Sequence, residues 1–104
     1  MQTIVIFITC AKPAEAKKIA FALLKNKLVA CVNVVDRVKS FFWWEGKIDQ
    51  AQEILLIVKS KKSKLTRIIQ LVKSLHSYQV PEIITLAVNG GNKAYLEWIN
   101  AALR

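Results

Sequence analysis

The fold is decided by a hairpin in the middle of the chain, whose sequence is VKSFFWWEGKIDQAQEILLIVKS at residues 38–60. Its two arms are rich in β-branched and aromatic residues, which favour strands. Glu45-Gly46 lies between the arms, and glycine suits the positive φ angle of a tight hairpin turn. The first arm begins before the quoted stretch, and Asp36-Arg37 is predicted to interrupt it as a bend or bulge. The sequence therefore predicts two long antiparallel strands, at residues 28–44 and 47–60.

The segments on either side of the hairpin alternate between strand and helix patterns. An apolar run at residues 3–9 predicts a buried strand, and Pro13 suits the first turn of the helix that follows it. A second amphipathic helix covers residues 65–75, and a second buried strand covers residues 83–88. Asn92 is the predicted N-cap of a last helix.

The complete order is β-α-β-β-α-β with one added C-terminal helix. This order is typical of the ferredoxin-like α+β fold, an antiparallel sheet with both main helices on one face. The whole of residues 1–104 is predicted to form a single domain, since that length leaves no room for a second. Two helix boundaries are predicted by side-chain type: Asn26 ends the first helix in a left-handed conformation, and Ser60 or Ser63 caps the second.

Composition and charge narrow the classes of function. No apolar run approaches the roughly 18–20 residues of a membrane span, and the N-terminus lacks a signal-peptide layout, so we expect a cytoplasmic protein without a membrane partner. The formal net charge is +9, which could attract nucleic acid, but the lysines are spread over several segments. The strand from Glu53 to Lys59 lacks the aromatic residues of an RNA-recognition strand, so no specific nucleic-acid partner is expected.

Catalytic motifs are missing from the sequence. There is no G-x-S-x-G nucleophile elbow and no phosphate-binding glycine-rich loop. Cys10 or Cys31 could act as a nucleophile only if His76, the single histidine, reached it. We therefore expect no enzymatic activity. Both cysteines sit in or beside apolar strand segments and are predicted to be small buried residues, and a disulfide is not expected without a secretory signal. The lack of a C-x-x-C pair argues against a structural zinc site.

Two groups of residues are candidates for binding. The aromatic residues Phe41 to Trp44 sit beside the hairpin turn, where alternation along the strand lets one tryptophan enter the core but not both. The segment that follows His76 concentrates polar groups and is a candidate ligand site, although a histidine there could equally be a polar boundary residue. The candidate interface or pocket residues are Phe42, Trp43, Trp44, Tyr78 and Glu82.

Four stretches, taken together, resemble a known family. They are LVACVN at 28–33, SFFWWEGKI at 40–48, LHSYQVPEII at 75–84 and YLEWI at 95–99. The chain resembles the CutA divalent-cation tolerance proteins over nearly its whole length. The resemblance implies a homotrimer of ferredoxin-like subunits, similar in architecture to the PII signal proteins, with a role in tolerance of copper and other divalent cations.

The resemblance also implies copper as the candidate bound metal and His76 as a ligand. Some family members supply a cysteine from the end of the first strand. The matching position here is taken as Ile8, and Cys10 shares its strand face and could substitute for it. Gln79 stands where relatives often have an acidic residue. The alternative function is a structural or signalling trimer that acts through protein partners without a physiological metal.

Overall fold

The computed structural model describes residues 2–104 and contains four strands, three α-helices and a short 3₁₀ turn at 62–64. The strands and helices, in chain order, are β1 (Thr3–Cys10), α1 (Pro13–Lys25), β2 (Cys31–Trp44), β3 (Lys47–Lys61), α2 (Leu65–Leu75), β4 (Ile83–Ala87) and α3 (Lys93–Ala102). This order confirms the predicted β-α-β-β-α-β pattern with one helix added at the C-terminus.

The four strands form one antiparallel sheet in the order β2-β3-β1-β4. β1 occupies an inner position, where Ile6 lies opposite Val58 of β3 and Thr85 of β4. The outer strands are β2 and β4, so the 14-residue β2 has a neighbour on one side within the described residues. The arrangement is the ferredoxin-like α+β fold that the sequence predicted.

The hydrophobic core lies between one face of the sheet and the two main helices. Fully buried side chains alternate along the strands and recur every three or four residues along α1 and α2, which is the spacing each element needs to present one apolar face. Its completely buried members are Ile6, Ile8, Cys10, Ala16, Ile19, Leu23, Leu56, Val58, Ile68 and Val72. α3 lies outside this core and contacts β3.

The opposite face of the sheet is also apolar but is largely uncovered in the single chain. We call this surface the open face. Phe7 lies directly opposite both Ile57 and Ile84, and Val5 lies opposite Leu86, so these side chains share one face. Ile84 and Leu86 are each about half exposed. Apolar surface of this extent is typical of a face that a partner covers.

The central hairpin has one arm three residues shorter than the sequence predicted, β2, and one arm a residue longer, β3. The register shifts between Val35 and Val38, and Arg37 takes a positive φ of 60°, which confirms a bulge at Asp36-Arg37. Glu45 and Gly46 both have positive φ, 49° and 77°, as a two-residue hairpin turn requires. The hairpin overhangs the helix-covered core, and the molecule measures 44 × 26 × 22 Å.

Near the first helix, one predicted boundary was wrong and another was right in position but not in conformation. β2 begins at Cys31 rather than at residue 28, because Leu28 is used in a turn where its carbonyl accepts a hydrogen bond from the Ser60 hydroxyl at 2.6 Å. Asn26 does cap α1, but with a φ of −87°. The left-handed residue is Lys27, whose φ is 56°.

The predicted serine cap of α2 was also wrong. The residue before α2 is Lys64, and no side chain caps that helix. The Ser60 hydroxyl is buried and committed to Leu28, while a 3₁₀ turn at 62–64 leads into the helix instead. The cap of α3 is confirmed, since the Asn92 side chain accepts a hydrogen bond from the amide of Ala94 at 3.0 Å.

The tip of the hairpin differs from the expectation that one tryptophan enters the core. Trp43 is 73% exposed and Trp44 is 58% exposed. The tip lies beyond the helices, so neither face of this part of the hairpin meets the core. Within residues 2–104, no helix combines the length and apolar character needed to cross a membrane.

Candidate functional site

Three element ends meet beside the core and bring together a thiol, a carboxylate and an imidazole. Cys10 is the last residue of β1, Glu15 lies in the first turn of α1, and His76 follows the last residue of α2. The connection from β1 to α1 is only two residues long, so the strand end and the helix start remain close. α2 packs beside α1, which places its C-terminal end at the same site.

The His76 ring is held by two hydrogen bonds. Its Nε2 lies 2.7 Å from the carbonyl oxygen of Thr9, and its Nδ1 accepts the amide hydrogen of Tyr78 at 3.0 Å. A carbonyl can only accept and an amide can only donate, so this pair assigns the neutral ring with its proton on Nε2. The His76 side chain is fully buried.

Glu15 reaches from α1 into the same site. One carboxylate oxygen, Oε1, accepts the amide hydrogen of Ser77 at 2.9 Å. The other, Oε2, is buried and has no hydrogen-bond partner among residues 2–104. It lies 3.8 Å from Nδ1 of His76, which is too long for a hydrogen bond, and the lone pair of Nδ1 is directed to Tyr78. Glu15 therefore carries an unsatisfied anionic oxygen inside the site.

The three side chains form a set of donor atoms of the kind that binds transition-metal cations. One donor atom from each of Cys10, Glu15 and His76 lies within 4.8 Å of the other two. Two ligand atoms on one ion are about 3.5 Å apart, given bonds of roughly 2.0–2.3 Å. A shift of about 1 Å, with one of the two His76 hydrogen bonds given up, would therefore close the set around a cation. Sulfur, nitrogen and carboxylate oxygen suit a borderline divalent ion. The residues present therefore fit a metal site.

Burial controls the protonation state of the Cys10 thiol. Cys10 has no exposed surface, and its burial, followed by the nearby charges of Glu15 and Glu53, raises the pKa of its thiol to about 12. The thiol is therefore protonated near neutral pH when no cation is present. Cys31, in contrast, lies at the start of β2, free and partly exposed.

A second polar group adjoins the first. The Tyr78 hydroxyl donates a hydrogen bond to Oε2 of Glu53 at 2.8 Å, and Glu53 is only 8% exposed. Burial and this hydrogen bond raise the pKa of Tyr78 to about 12. Glu82 is exposed as a whole, but the partial desolvation of its carboxyl raises its pKa, and the nearby charge of Glu53 raises it further. Tyr78 thus links the His76 segment to β3.

The predicted site residues fall into two separate places. His76 and Cys10, predicted as metal ligands, are brought together, and Tyr78 contacts the His76 ring and bonds to Glu53. Glu82 is connected to this group through the charge of Glu53, which contributes to its raised pKa. The aromatic residues Phe42, Trp43 and Trp44 lie instead at the hairpin tip. The residues predicted as interface or pocket thus stay in the two groups that the sequence separates, one at the hairpin tip and one in the segment after His76.

The hairpin tip carries shallow surface depressions rather than an enclosed cavity. Two of them, with volumes of about 330 and 380 Å³, are lined by tip residues that include Phe41, Trp44 and Ile48. Both open widely to solvent and neither includes Cys10 or His76. The tip is better suited to contact with another protein surface than to holding a small ligand.

Sequence reasoning missed Glu15 and Glu53. Glu15 carried a usable signal, because a short strand-to-helix connection places the first turn of the helix beside the strand end, and Cys10 stands only five residues earlier. Glu53 carried a weaker one, as an acidic residue next to the apolar run at 54–58. The hydrogen-bond donor that the buried carboxylate of Glu53 receives comes from Tyr78, which is 25 residues away in the chain.

Comparison with known proteins identifies relatives along nearly the full chain. A sequence model of the family described as "CutA1 divalent ion tolerance protein" matches residues 4–102. The divalent-cation tolerance protein CutA of Archaeoglobus fulgidus is 45% identical over 95 residues, which are 91% of this chain and 92% of that protein. The chloroplastic protein CutA 1 of Oryza sativa is 41% identical over 102 residues, or 98% of this chain.

The chain is shorter than several of these relatives. It spans 58% of the Oryza sativa protein, 62% of the Xenopus laevis homologue and 56% of the chloroplastic Arabidopsis thaliana protein. Solved structures agree closely in fold. The crystal structure of CutA1 from Oryza sativa has a TM-score of 0.96 at 40% identity and covers 100% of this chain and 95% of that one. The CutA structure from Archaeoglobus fulgidus has a TM-score of 0.94 at 42% identity, covering 98% and 99%.

Proposed function

The chain belongs to the CutA1 divalent ion tolerance protein family, and from this premise we propose that it is a homotrimeric protein that binds a divalent cation through Cys10 and His76. Copper is the first candidate, because imidazole and thiolate both favour it. The observation that carries the proposal is the meeting of the Cys10, Glu15 and His76 donor atoms within 4.8 Å. Such a protein would contribute to metal tolerance by binding the ion and responding to it.

We predict that His76→Ala lowers the affinity for Cu²⁺ at least tenfold, since it removes one of the donor groups. The measurement is a titration of the purified, tag-free protein against a competing chelator. Circular dichroism and thermal unfolding check that the variant is folded, because His76 also holds Thr9 and Tyr78 through hydrogen bonds. Unchanged binding in a folded variant would remove His76 from the site.

The two cysteines provide a matched control for the same titration. Cys10→Ser should lower the affinity for Cu²⁺ as strongly as His76→Ala does, because the buried thiol is part of the donor set. Cys31→Ser removes the other free thiol, which lies outside that set, and should leave the affinity unchanged. Equal losses in the two variants would argue for adventitious binding by thiols.

A trimer is the second part of the proposal, and it is supported by the uncovered surfaces. The open face and the aromatic hairpin tip are apolar and exposed in the single chain. A closed ring of three subunits, with an architecture like that of the PII signal proteins, would cover both without leaving free strand edges. These surfaces also support the alternative, a structural or signalling trimer that acts through protein partners. The copper titration separates the two functions.

We propose no catalytic activity for the chain. His76 does come close to Cys10, as a cysteine nucleophile would require, but the thiol is buried and its pKa is raised to about 12. A nucleophile needs the thiolate and access to substrate. A cytoplasmic location stays a prediction from the sequence, since the names of the relatives include chloroplastic and periplasmic proteins.

A further inference from the structure

We infer that Glu15 is the third donor of the cation site, through Oε2, and that this carboxylate makes the site selective for borderline divalent ions such as Zn²⁺ and Co²⁺ over Cu⁺. The inference rests on the proposed function of the same site. It starts from the unsatisfied state of Oε2, which is buried, carries part of a negative charge and accepts no hydrogen bond. Buried carboxylate oxygens are rarely left in this state.

The position of Glu15 in the fold does not explain why Oε2 is buried without a hydrogen-bond donor. A carboxylate in the first turn of α1 is favoured by the helix dipole, but the dipole supplies no hydrogen-bond donor to this oxygen. The structural task of Glu15, which is to hold the amide of Ser77, is performed by Oε1 alone. The second oxygen is thus free for another partner, and it faces His76 Nδ1 at 3.8 Å.

The charges of the site point to a cation as that partner. The His76 ring donates a hydrogen bond to Thr9 and accepts one from Tyr78, so it directs no N–H at Oε2 and leaves the Glu15 carboxylate uncompensated. A divalent cation among the three donor atoms would compensate the carboxylate and take its free oxygen as a ligand. Zinc binds through thiolate sulfur, imidazole nitrogen and carboxylate oxygen, and three protein ligands are the usual number where one position stays open.

The same donor set explains the selectivity. Cu⁺ is a soft ion that is satisfied by sulfur and nitrogen, so a carboxylate oxygen adds little to its binding. Zn²⁺ and Co²⁺ are borderline ions that accept carboxylate oxygen readily. The identity of residue 15 should therefore affect the binding of divalent ions much more than the binding of Cu⁺.

Glu15→Gln tests the inference, because the glutamine Oε1 can still accept the Ser77 amide while the anionic Oε2 is lost. We expect the affinity for Zn²⁺, measured by chelator competition, to fall at least tenfold and the affinity for Cu⁺ to change less than threefold. Glu97→Gln is the matched control, since it removes an equal charge from an exposed position on α3 and should change neither affinity. Co²⁺ absorption reports the change in ligand number independently.

Infrared difference spectra of the unaltered protein, with and without Zn²⁺, give a test that does not depend on the folding of a variant. We expect a shifted carboxylate band on loading, retained in Glu97→Gln. Absence of that shift, or a folded Glu15→Gln variant with undiminished Zn²⁺ affinity, would overturn the role of Glu15. Loss of Zn²⁺ and Cu⁺ affinity to the same extent would overturn the selectivity.

The outcomes also separate this inference from the proposed function. If the unaltered protein binds neither copper nor Zn²⁺, both fail together. If His76→Ala and Cys10→Ser weaken binding but Glu15→Gln does not, the proposed function stands and only the role of Glu15 is wrong.

Discussion

Light scattering of the dilute protein should give a mass of about three times the 11.8 kDa of one chain. The physical reason is the overhanging hairpin, whose tip exposes Trp43 and Trp44, together with the uncovered open face. An isolated chain would keep this apolar surface in water and leave the long edge of β2 unpaired. Association of copies removes both problems, and the family resemblance gives the number three.

Trp43→Asp should dissociate the assembly, so that the measured mass falls to that of a single chain. The reason is that association would bury a carboxylate in the interface without a partner. The single chain should still fold, since Trp43 contributes nothing to the core. Phe21→Asp is the matched control. Phe21 is an aromatic residue, 49% exposed on α1, outside the tip and the open face, and its replacement should leave the trimer intact.

Two results would contradict the trimer. A single-chain mass for the unaltered protein at micromolar concentration would show that the exposed apolar surfaces are not covered by copies of the chain. A trimer that survives Trp43→Asp but is lost in Phe21→Asp would place the interface on the helical side of the sheet. Sedimentation equilibrium over a range of concentrations gives an independent measure of the mass.

Leu23→Ala should lower the free energy of unfolding by about 3 kcal/mol, because it leaves a cavity between α1 and the sheet. Leu23 is completely buried and belongs to the core, whereas Leu24, the next residue, is 36% exposed. Leu24→Ala is therefore the matched control, and it should cost less than about 1 kcal/mol. The two variants differ only in which face of the helix loses the side chain.

Guanidinium chloride unfolding gives the measurement, with all proteins at one concentration because assembly would couple stability to concentration. The midpoint of Leu23→Ala should fall well below that of Leu24→Ala. Equal losses would mean that α1 is not anchored to the sheet by the face assigned here, and they would contradict the placement of the core.

The fold followed from the sequence because its signals are local. Strand and helix periodicity, the Glu45-Gly46 turn and the Asx cap at Asn92 each depend on residues within a few positions of one another. The errors arose where the role of a residue is set by contacts with parts of the chain that are far away in sequence. Ser60 was expected to cap α2, but its hydroxyl is taken by the carbonyl of Leu28, 32 residues earlier. A tryptophan was expected in the core, but the tip lies beyond the helices.

The candidate site was predictable to the same degree. His76 and Cys10 were found through the resemblance and from their positions at element ends, and the structure brings them together. The unpartnered oxygen of Glu15 could not be found from the sequence. It arises because one oxygen of the carboxylate accepts the Ser77 amide while the other faces His76, and both neighbours are brought there by packing between segments more than 60 residues apart in the chain.

The complete burial of Cys10 and of the His76 ring has a kinetic consequence. An ion cannot reach these donors by diffusion to the surface alone, because the segment that carries His76 must first move and give up a hydrogen bond to Thr9 or Tyr78. At the proposed site, uptake would proceed only through the fraction of molecules that is open at a given moment, and its rate would level off as the ion concentration rises. The same closed state would slow the release of a bound ion. The ion would therefore remain on the protein long after the concentration of the free ion has fallen.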